Sequence, residues 1–457
     1  MKYKSLTISE PEKLIFGDAP LPVKTKRGLI IGGGRVYPEI NFTLPPMEVS
    51  LKTLPDVRKH YTEITEGILE RAIELNSRGL VLELETLIEM TRTPAIGVEV
   101  VMVMNEICEK YHQKYNLPVE IRLTPNDLRE FDRPPRSRTS SYLDSMLELF
   151  EQGAKAGGNL LSIESTGGKE ISDSALMMCD MKRFIFSQAV LGVRDMEFLW
   201  SKIVDIARKK GVIAGGDTAC GFGNTAMILA DRHYIPKIVA AVARVATVSR
   251  TLVAVEQGAT GPDKDCAYEG IFIKAITGIP ISMEGKTSAC AHLSPLGNVA
   301  AAAADLWSNE SVQNIRLLSG MAPVAYYEQL EYDVRLLNEA KRCGERESIL
   351  LQKLLVNSDI GFDPQALVLA PKNVIRIAGQ IIRGKNSIDS TVSGCKEAIK
   401  IIREAIDSGQ LLTDEKELVW MDMLESDINS VPTGESEFVE MMLPELGDTF
   451  IPSEYGL

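Results

Sequence analysis

The sequence contains no Cys-x-x-Cys knuckle, so it encodes no compact four-sulfur metal module. Its seven cysteines, at positions 108, 179, 220, 266, 290, 343 and 395, are scattered. An odd number cannot all pair within one chain, and a reducing compartment fits them best. No apolar signal core follows Met1-Lys2-Tyr3-Lys4-Ser5, and no run approaches the roughly 18 apolar residues of a membrane span. The expectation is a cytoplasmic protein without a membrane partner. Positive charge is in deficit, with 50 Lys and Arg against 63 Asp and Glu. The resulting net charge of −13 repels phosphate and excludes nucleic acid as a partner. Arg133, Arg136 and Arg138 form a local exception, read as a solvated loop rich in proline and arginine.

Phosphate-binding glycine motifs are also incomplete. Gly285-Lys286-Thr287 resembles the end of a phosphate loop, but Pro280 stands where its first glycine belongs. Gly32-Gly33-Gly34-Arg35 lacks the third glycine of a dinucleotide fingerprint and reads as a turn. The sequence shows no internal repeat of fixed period.

What the chain does have is length and a recurring pattern. Its 457 residues, 45% hydrophobic and 25% charged, suffice for a barrel of roughly 250 residues with terminal additions. Eight short runs read as buried strands: Leu29 to Ile31, Gly79 to Glu85, Val119 to Leu123, Asn159 to Glu164, Arg183 to Val190, Val212 to Gly216, Thr251 to Glu256 and Pro280 to Glu284. Helical spacing fills the gaps, from Asp56 to Asn76, Val98 to Tyr115, Ser140 to Ala156, Asp195 to Lys210 and Pro236 to Ser249. Eight alternating units predict an α/β fold of the (β/α)8 TIM barrel type. Residues 1–45 read as an irregular N-terminal extension, 46–325 as the barrel, and 326–457 as a helical C-terminal region with long patterns from Ala325 to Lys353 and Lys396 to Asp407.

Three residues stand just beyond, or at the end of, such runs or in a polar loop: Glu164, Cys220 and Cys266. A carboxylate and two thiolates gathered at one end of a parallel barrel would hold zinc with one position open. The spacing alone is weak, because Cys220 and Cys266 stand 46 positions apart and buried free cysteine is common. Cys290 with His292 forms a reserve Cys-x-His pair, while Cys108, Cys343 and Cys395 read as packing residues. Asp217 and Glu85 sit at strand ends where a carboxylate could pass a proton; the alternative is a buried carboxylate satisfied by loop amides.

The segments Ser162-Ile163-Glu164-Ser165-Thr166-Gly167-Gly168, Ala214-Gly215-Gly216-Asp217-Thr218 to Cys220, and Lys264-Asp265-Cys266-Ala267-Tyr268-Glu269 resemble the zinc-ligand segments of methanol:corrinoid methyltransferases. The likeness runs from Tyr37-Pro38-Glu39-Ile40-Asn41 to Glu454-Tyr455-Gly456-Leu457. It implies a TIM barrel and one zinc per chain on Glu164, Cys220 and Cys266. It further implies methanol as substrate and a corrinoid supplied by a partner protein, with the chain a homodimer inside a hetero-oligomer. In this family an acidic residue precedes the ligand cysteine, where this chain has Ala219. That departure leaves open the same chemistry on another small alcohol or methylated compound. A non-catalytic binding partner of a corrinoid protein is the remaining alternative, and the intact Glu-Cys-Cys set speaks against it.

Overall fold

Strands and helices alternate from residue 37 to residue 311 in the computed structural model, which describes residues 2–264, 266, 268–285, 296–311, 316–317 and 320–457. Strands β1 (Asp18–Lys24) and β2 (Ile30–Gly33) form an antiparallel hairpin. Seven further strands follow: β3 (Tyr37–Phe42), β4 (Leu80–Glu85), β5 (Val119–Thr124), β6 (Leu160–Ile163), β7 (Ile213–Asp217), β8 (Ser282–Glu284) and β9 (Leu306–Ser311). They make one parallel sheet in the order β7-β6-β5-β4-β3-β9-β8.

The two edges of that sheet are bridged by residues 260–263. Thr260 N and Gly261 N donate to Ala214 O and Gly215 O of β7, both at 2.9 Å, and Asp263 N donates to Pro280 O, just before β8, at 3.3 Å. Ser282 N on β8 in turn donates to Asp263 Oδ1 at 3.1 Å. This segment therefore fills the eighth place of a TIM-barrel-like α/β fold without being a regular strand. The glycine pair in β7 allows the approach, since a Cβ at Gly216 would lie 2.8 Å from Asp263 Cα and one at Gly215 2.9 Å from Pro262 O.

Three of the eight expected strands need correction. Leu29 to Ile31 overlaps β2, which among the described residues pairs with β1 and not with the parallel sheet. Leu29 and Ile31 cluster with Val81, Leu160 and Leu306, so the hairpin plugs the N-terminal end of the barrel. Arg183 to Val190 is helical, running from helix Met181–Phe186 into the π-turn Ser187–Gly192, and Thr251 to Glu256 lies in helix Val248–Gln257. Both stretches are largely buried, and a short apolar run buried on all sides carries no period that separates strand from helix. Two strands of the parallel sheet were not expected, β3 and β9. The barrel thus begins at residue 37, inside the segment read as an extension. Truncating the plug, as in Leu29→Ala, is expected to cost about 2–4 kcal/mol of unfolding free energy, read from denaturant midpoints.

Helices Leu54–Glu74, Pro94–Tyr115, Tyr142–Ala156 and Val193–Lys210 lie where amphipathic spacing puts them. The stretch Lys237–Gln257 is apolar and long enough to cross a membrane by length and composition, contrary to the sequence reading, yet 94% of its most apolar window is buried inside the fold. Beyond residue 321 the chain is helical. The pattern from Ala325 to Lys353 divides at Gly344 into helices Ala322–Cys343 and Glu345–Asp359. One hydrophobic cluster, from Ile8 to Tyr455, joins these helices to the barrel.

The barrel interior is polar above its plug. Arg122 of β5 makes a bidentate pair with Glu39 of β3, at 2.6 and 3.2 Å. It also donates to Ser162 Oγ of β6 at 2.7 Å and to Pro262 O at 3.0 Å. Ser282 Oγ of β8 donates to the same Glu39 carboxylate. One guanidinium thus ties three strands and the bridging segment together.

Candidate metal centre

Glu164 directly follows β6, Cys220 opens helix Cys220–Asp231 three residues after β7, and Cys266 follows the bridging segment. Each therefore projects from the C-terminal end of the barrel, where loops after parallel strands converge. The structure brings the three together: one ligand atom from each lies within 4.8 Å of the other two. Cys266 Sγ is 3.4 Å from Glu164 Oε1. Tetrahedral zinc with sulfur at roughly 2.3 Å and oxygen at roughly 2.1 Å spaces its ligands about 3.5–3.8 Å apart, so this set fits zinc with a small adjustment.

Buried side chains surround the three candidate ligands. Asn224, one helical turn after Cys220, points its amide at Cys220 Sγ (3.6 Å) and donates to Cys266 O (3.0 Å). Glu269 accepts from Ala219 N at 2.6 Å and from Thr251 Oγ1 at 2.9 Å, fixing the backbone just before Cys220. Lys264 is fully buried, with its ammonium 2.9 Å from Glu83, 3.4 Å from Glu164, 3.7 Å from Glu85 and 3.8 Å from Cys266 Sγ. Two thiolates and a carboxylate leave a zinc centre with one net negative charge, and the Lys264 cation offsets it. A hydrogen bond with Cys266 pulls the Cys220 thiol pKa down, but burial and the Glu164 and Glu284 carboxylates push it up to about 12. A divalent cation is the partner that would favour its thiolate. Sequence reasoning missed Lys264, Glu269 and Asn224; the available signal was that Lys264 and Glu269 flank Cys266 in one short segment.

Asp217 and Glu85 separate in space. On β7, Asp217 is in register with Ile163, whose side chain packs into the core outside the barrel. The Asp217 carboxylate accepts from Trp200 Nε1 at 2.6 Å and from Ser165 N at 3.2 Å, and so braces the loop after Glu164. Asp217 is thus a buried carboxylate satisfied by neighbouring donors. Burial raises its pKa to about 6 against the pull of Arg250 and these donors. Such a group favours folding fully below pH 3.8, its ordinary value, and this favour fades as pH rises through 6. Asp217→Asn is therefore expected to gain stability relative to the parent between pH 4 and pH 7, by up to about 3 kcal/mol, in urea titrations at each pH.

Glu85, by contrast, stands with Glu164 on the wall of a cavity of about 190 Å³, which Thr124, Asn126, Glu130 and Lys169 also line. Asn41 Nδ2 donates to Glu85 at 2.9 Å. A larger cavity of about 630 Å³, bounded by His233, Tyr234 and Phe362, includes none of the three ligands. Of the other cysteines, Cys108 and Cys395 are buried as expected. Cys343 is exposed beside Glu339 at a helix end, so it is not a packing residue. Cys290 and His292 lie outside the described residues.

Comparison with known proteins gives a consistent answer. Residues 1–456 match the family model described as methanol-cobalamin methyltransferase B subunit. The chain is 35% identical over 462 residues to a methanol–corrinoid protein co-methyltransferase of Methanosarcina barkeri, covering 100% of this chain and 99% of that one. It superposes on the crystal structure of the methanol:cobalamin methyltransferase complex MtaBC from Methanosarcina barkeri with a TM-score of 0.94 and 35% identity, again over 100% and 99% of the two chains. A barrel that gathers Glu164, Cys220 and Cys266 at its mouth, and that matches these proteins from end to end, belongs to the methanol-cobalamin methyltransferase B subunit family.

Proposed function

We propose that this chain is a zinc-dependent methyltransferase that takes the methyl group of methanol and passes it to the cobalt(I) of a corrinoid carried by a partner protein. The observation that carries the reading is the convergence of Glu164, Cys220 and Cys266 at the barrel mouth. Glu164, Cys220 and Cys266 would hold the zinc, which would supply Lewis-acid chemistry toward the alcohol oxygen. The corrinoid supplies the nucleophile, which no side chain here could provide against an unactivated C–O bond. The balance is methanol, cobalt(I) and one proton giving methyl-cobalt(III) and water.

The protein's own residues set the conditions. The cavity of about 190 Å³ beside Glu164 admits a molecule the size of methanol. Lys264 holds the Glu164 carboxylate and the Cys266 sulfur from one side, leaving the other face for substrate. Glu85, which shares the cavity wall with Glu130, would hand on the proton that converts the departing oxygen to water. Asp217 acts through the Ser165 backbone and has no place in that transfer. The chain works as a cytoplasmic homodimer bound to its corrinoid protein, with the barrel mouth open to the corrinoid face.

Ala219 favours one variant of this reading. Its side chain is buried and small where the resemblance implies an acidic residue, so the substrate could differ while the metal and the methyl transfer stay the same. Methyl transfer to cob(I)alamin, followed optically with methanol, ethanol, dimethyl ether and methylamines, tests both. Turnover with methanol alone supports the main reading. Turnover with another member of the panel moves the substrate, and none with any member overturns the enzymatic reading.

A further inference from the structure

Four backbone groups of the loop that carries Glu164 are each held by a different buried side chain. Ser165 N donates to Asp217, and Ser165 O accepts from Arg250 at 3.1 Å. Thr166 N donates to Asp127 Oδ2 at 2.9 Å. Asp127 is itself fixed by Arg129, which also grips Asp195 at 2.7 Å. The last anchor has a distant origin: Gly168 N donates to the hydroxyl of Tyr455 at 3.1 Å, across 287 positions of sequence.

The segment around Tyr455 is not casually placed. Tyr455 is 3% exposed and Glu454 6%. The Glu454 carboxylate accepts from Arg138 N at 2.8 Å and Thr139 N at 3.0 Å. Arg138 donates back to Tyr455 O, and Arg194 to Gly456 O, both at 3.0 Å. The Tyr455 ring also packs on Phe450, with centroids 6.1 Å apart. Residues 454–456 thus clasp two segments that meet at the cavity, the Glu164 loop and the one leading from Asn126 through Arg138. A bare packing role would need the ring but not the hydroxyl, and would not use a buried carboxylate to bind two amides of the neighbouring loop.

We propose that Tyr455 and Glu454 are positioning residues for the metal centre, a clip that fixes residues 164–168 and so sets the Glu164 carboxylate opposite the two cysteines. This rests on the zinc reading above. Groups that orient metal ligands typically affect metal affinity by about 10- to 100-fold, and one acting through backbone should do somewhat less.

The test uses the full chain with Tyr455→Phe, Glu454→Gln and, as a hydroxyl deletion outside the site, Tyr327→Phe, whose hydroxyl meets Ser77 at 2.6 Å. Zinc release to a coloured chelator, the visible spectrum after cobalt(II) substitution, and hydrogen exchange in the peptide spanning 164–169 are read beside melting temperature. Tyr455→Phe is expected to release zinc about 3- to 10-fold faster. It should also perturb the cobalt bands and speed exchange at 164–169, with melting within about 2 °C of the parent. Tyr327→Phe should leave the first three readouts unchanged. Unchanged zinc release and exchange in Tyr455→Phe would overturn the clip. If the parent itself holds no zinc, the metal reading fails, and exchange alone then decides whether Tyr455 holds the loop.

Discussion

Cys266→Ser, purified as a folded chain, is expected to carry essentially no zinc and to transfer methyl groups from methanol at least about 10³-fold more slowly than the parent. The size follows from losing a Lewis acid worth several kcal/mol of transition-state stabilisation, at about 1.4 kcal/mol per tenfold. The fold should survive, because Cys266 lies in a loop and the Asn224 amide bonds to its carbonyl rather than to its sulfur. A serine hydroxyl would have to ionise far from its ordinary range to replace the thiolate, and Lys264 would turn to Glu164 and Glu83. Cys220→Ser should behave alike, since Cys220 is the candidate ligand at the helix N-terminus and its neighbour Ala219 stays anchored by Glu269. Zinc per chain by elemental analysis, with methyl transfer in the same preparation, checks both variants. Wild-type turnover from a zinc-free Cys266→Ser chain would show that the reaction does not need this site.

The second large effect concerns stability. Arg122→Met should lower the unfolding free energy by about 3–5 kcal/mol, because it leaves the Glu39 carboxylate buried with its bidentate partner gone. Both side chains of that pair are 0% exposed, so water cannot take over the lost bonds. Glu39→Gln in the same background should recover part of the loss by removing the stranded charge. The cycle of parent, two single variants and the double, measured by urea unfolding, isolates that coupling. A loss below about 1 kcal/mol in Arg122→Met would mean that the pair is wet or replaceable.

This polar interior also explains which strands could be read in advance. β4, β5 and β7 stand out as apolar runs because enough of their residues face the surrounding helices. β3 carries Pro38, Glu39 and Asn41, and β9 carries Ser308, Asn309 and Glu310, so neither looks like a core strand although both are paired on two sides in the sheet. Their polar residues belong to a barrel whose inside is an ion-pair network rather than the usual branched aliphatics. Segments 181–192 and 248–257 failed in the opposite sense, being helices so enclosed that apolar content outweighed period.

At the site, the three candidate ligands were legible because strand ends and a family likeness pointed to the same residues. Asp217 was not, because a strand-end position does not say which face a carboxylate takes. A register irregularity between β6 and β7 sets that face, and the sequence does not show it. Lys264 and Glu269 are loop charges with no periodicity to mark them, and Lys264 stands between two aspartates. Their roles appear only once residues 83, 164, 219 and 266 are near one another.

The most direct test is a zinc titration of methyl transfer. The chain is stripped with a chelator, shown to be metal-free, and assayed with methanol and cob(I)alamin as zinc is returned. The expected result is no turnover without metal, a linear rise in rate that ends at one zinc per chain, and no recovery in Cys220→Ser or Cys266→Ser at any zinc level. Full activity in the metal-free chain, or recovery of both cysteine variants by zinc, would contradict it.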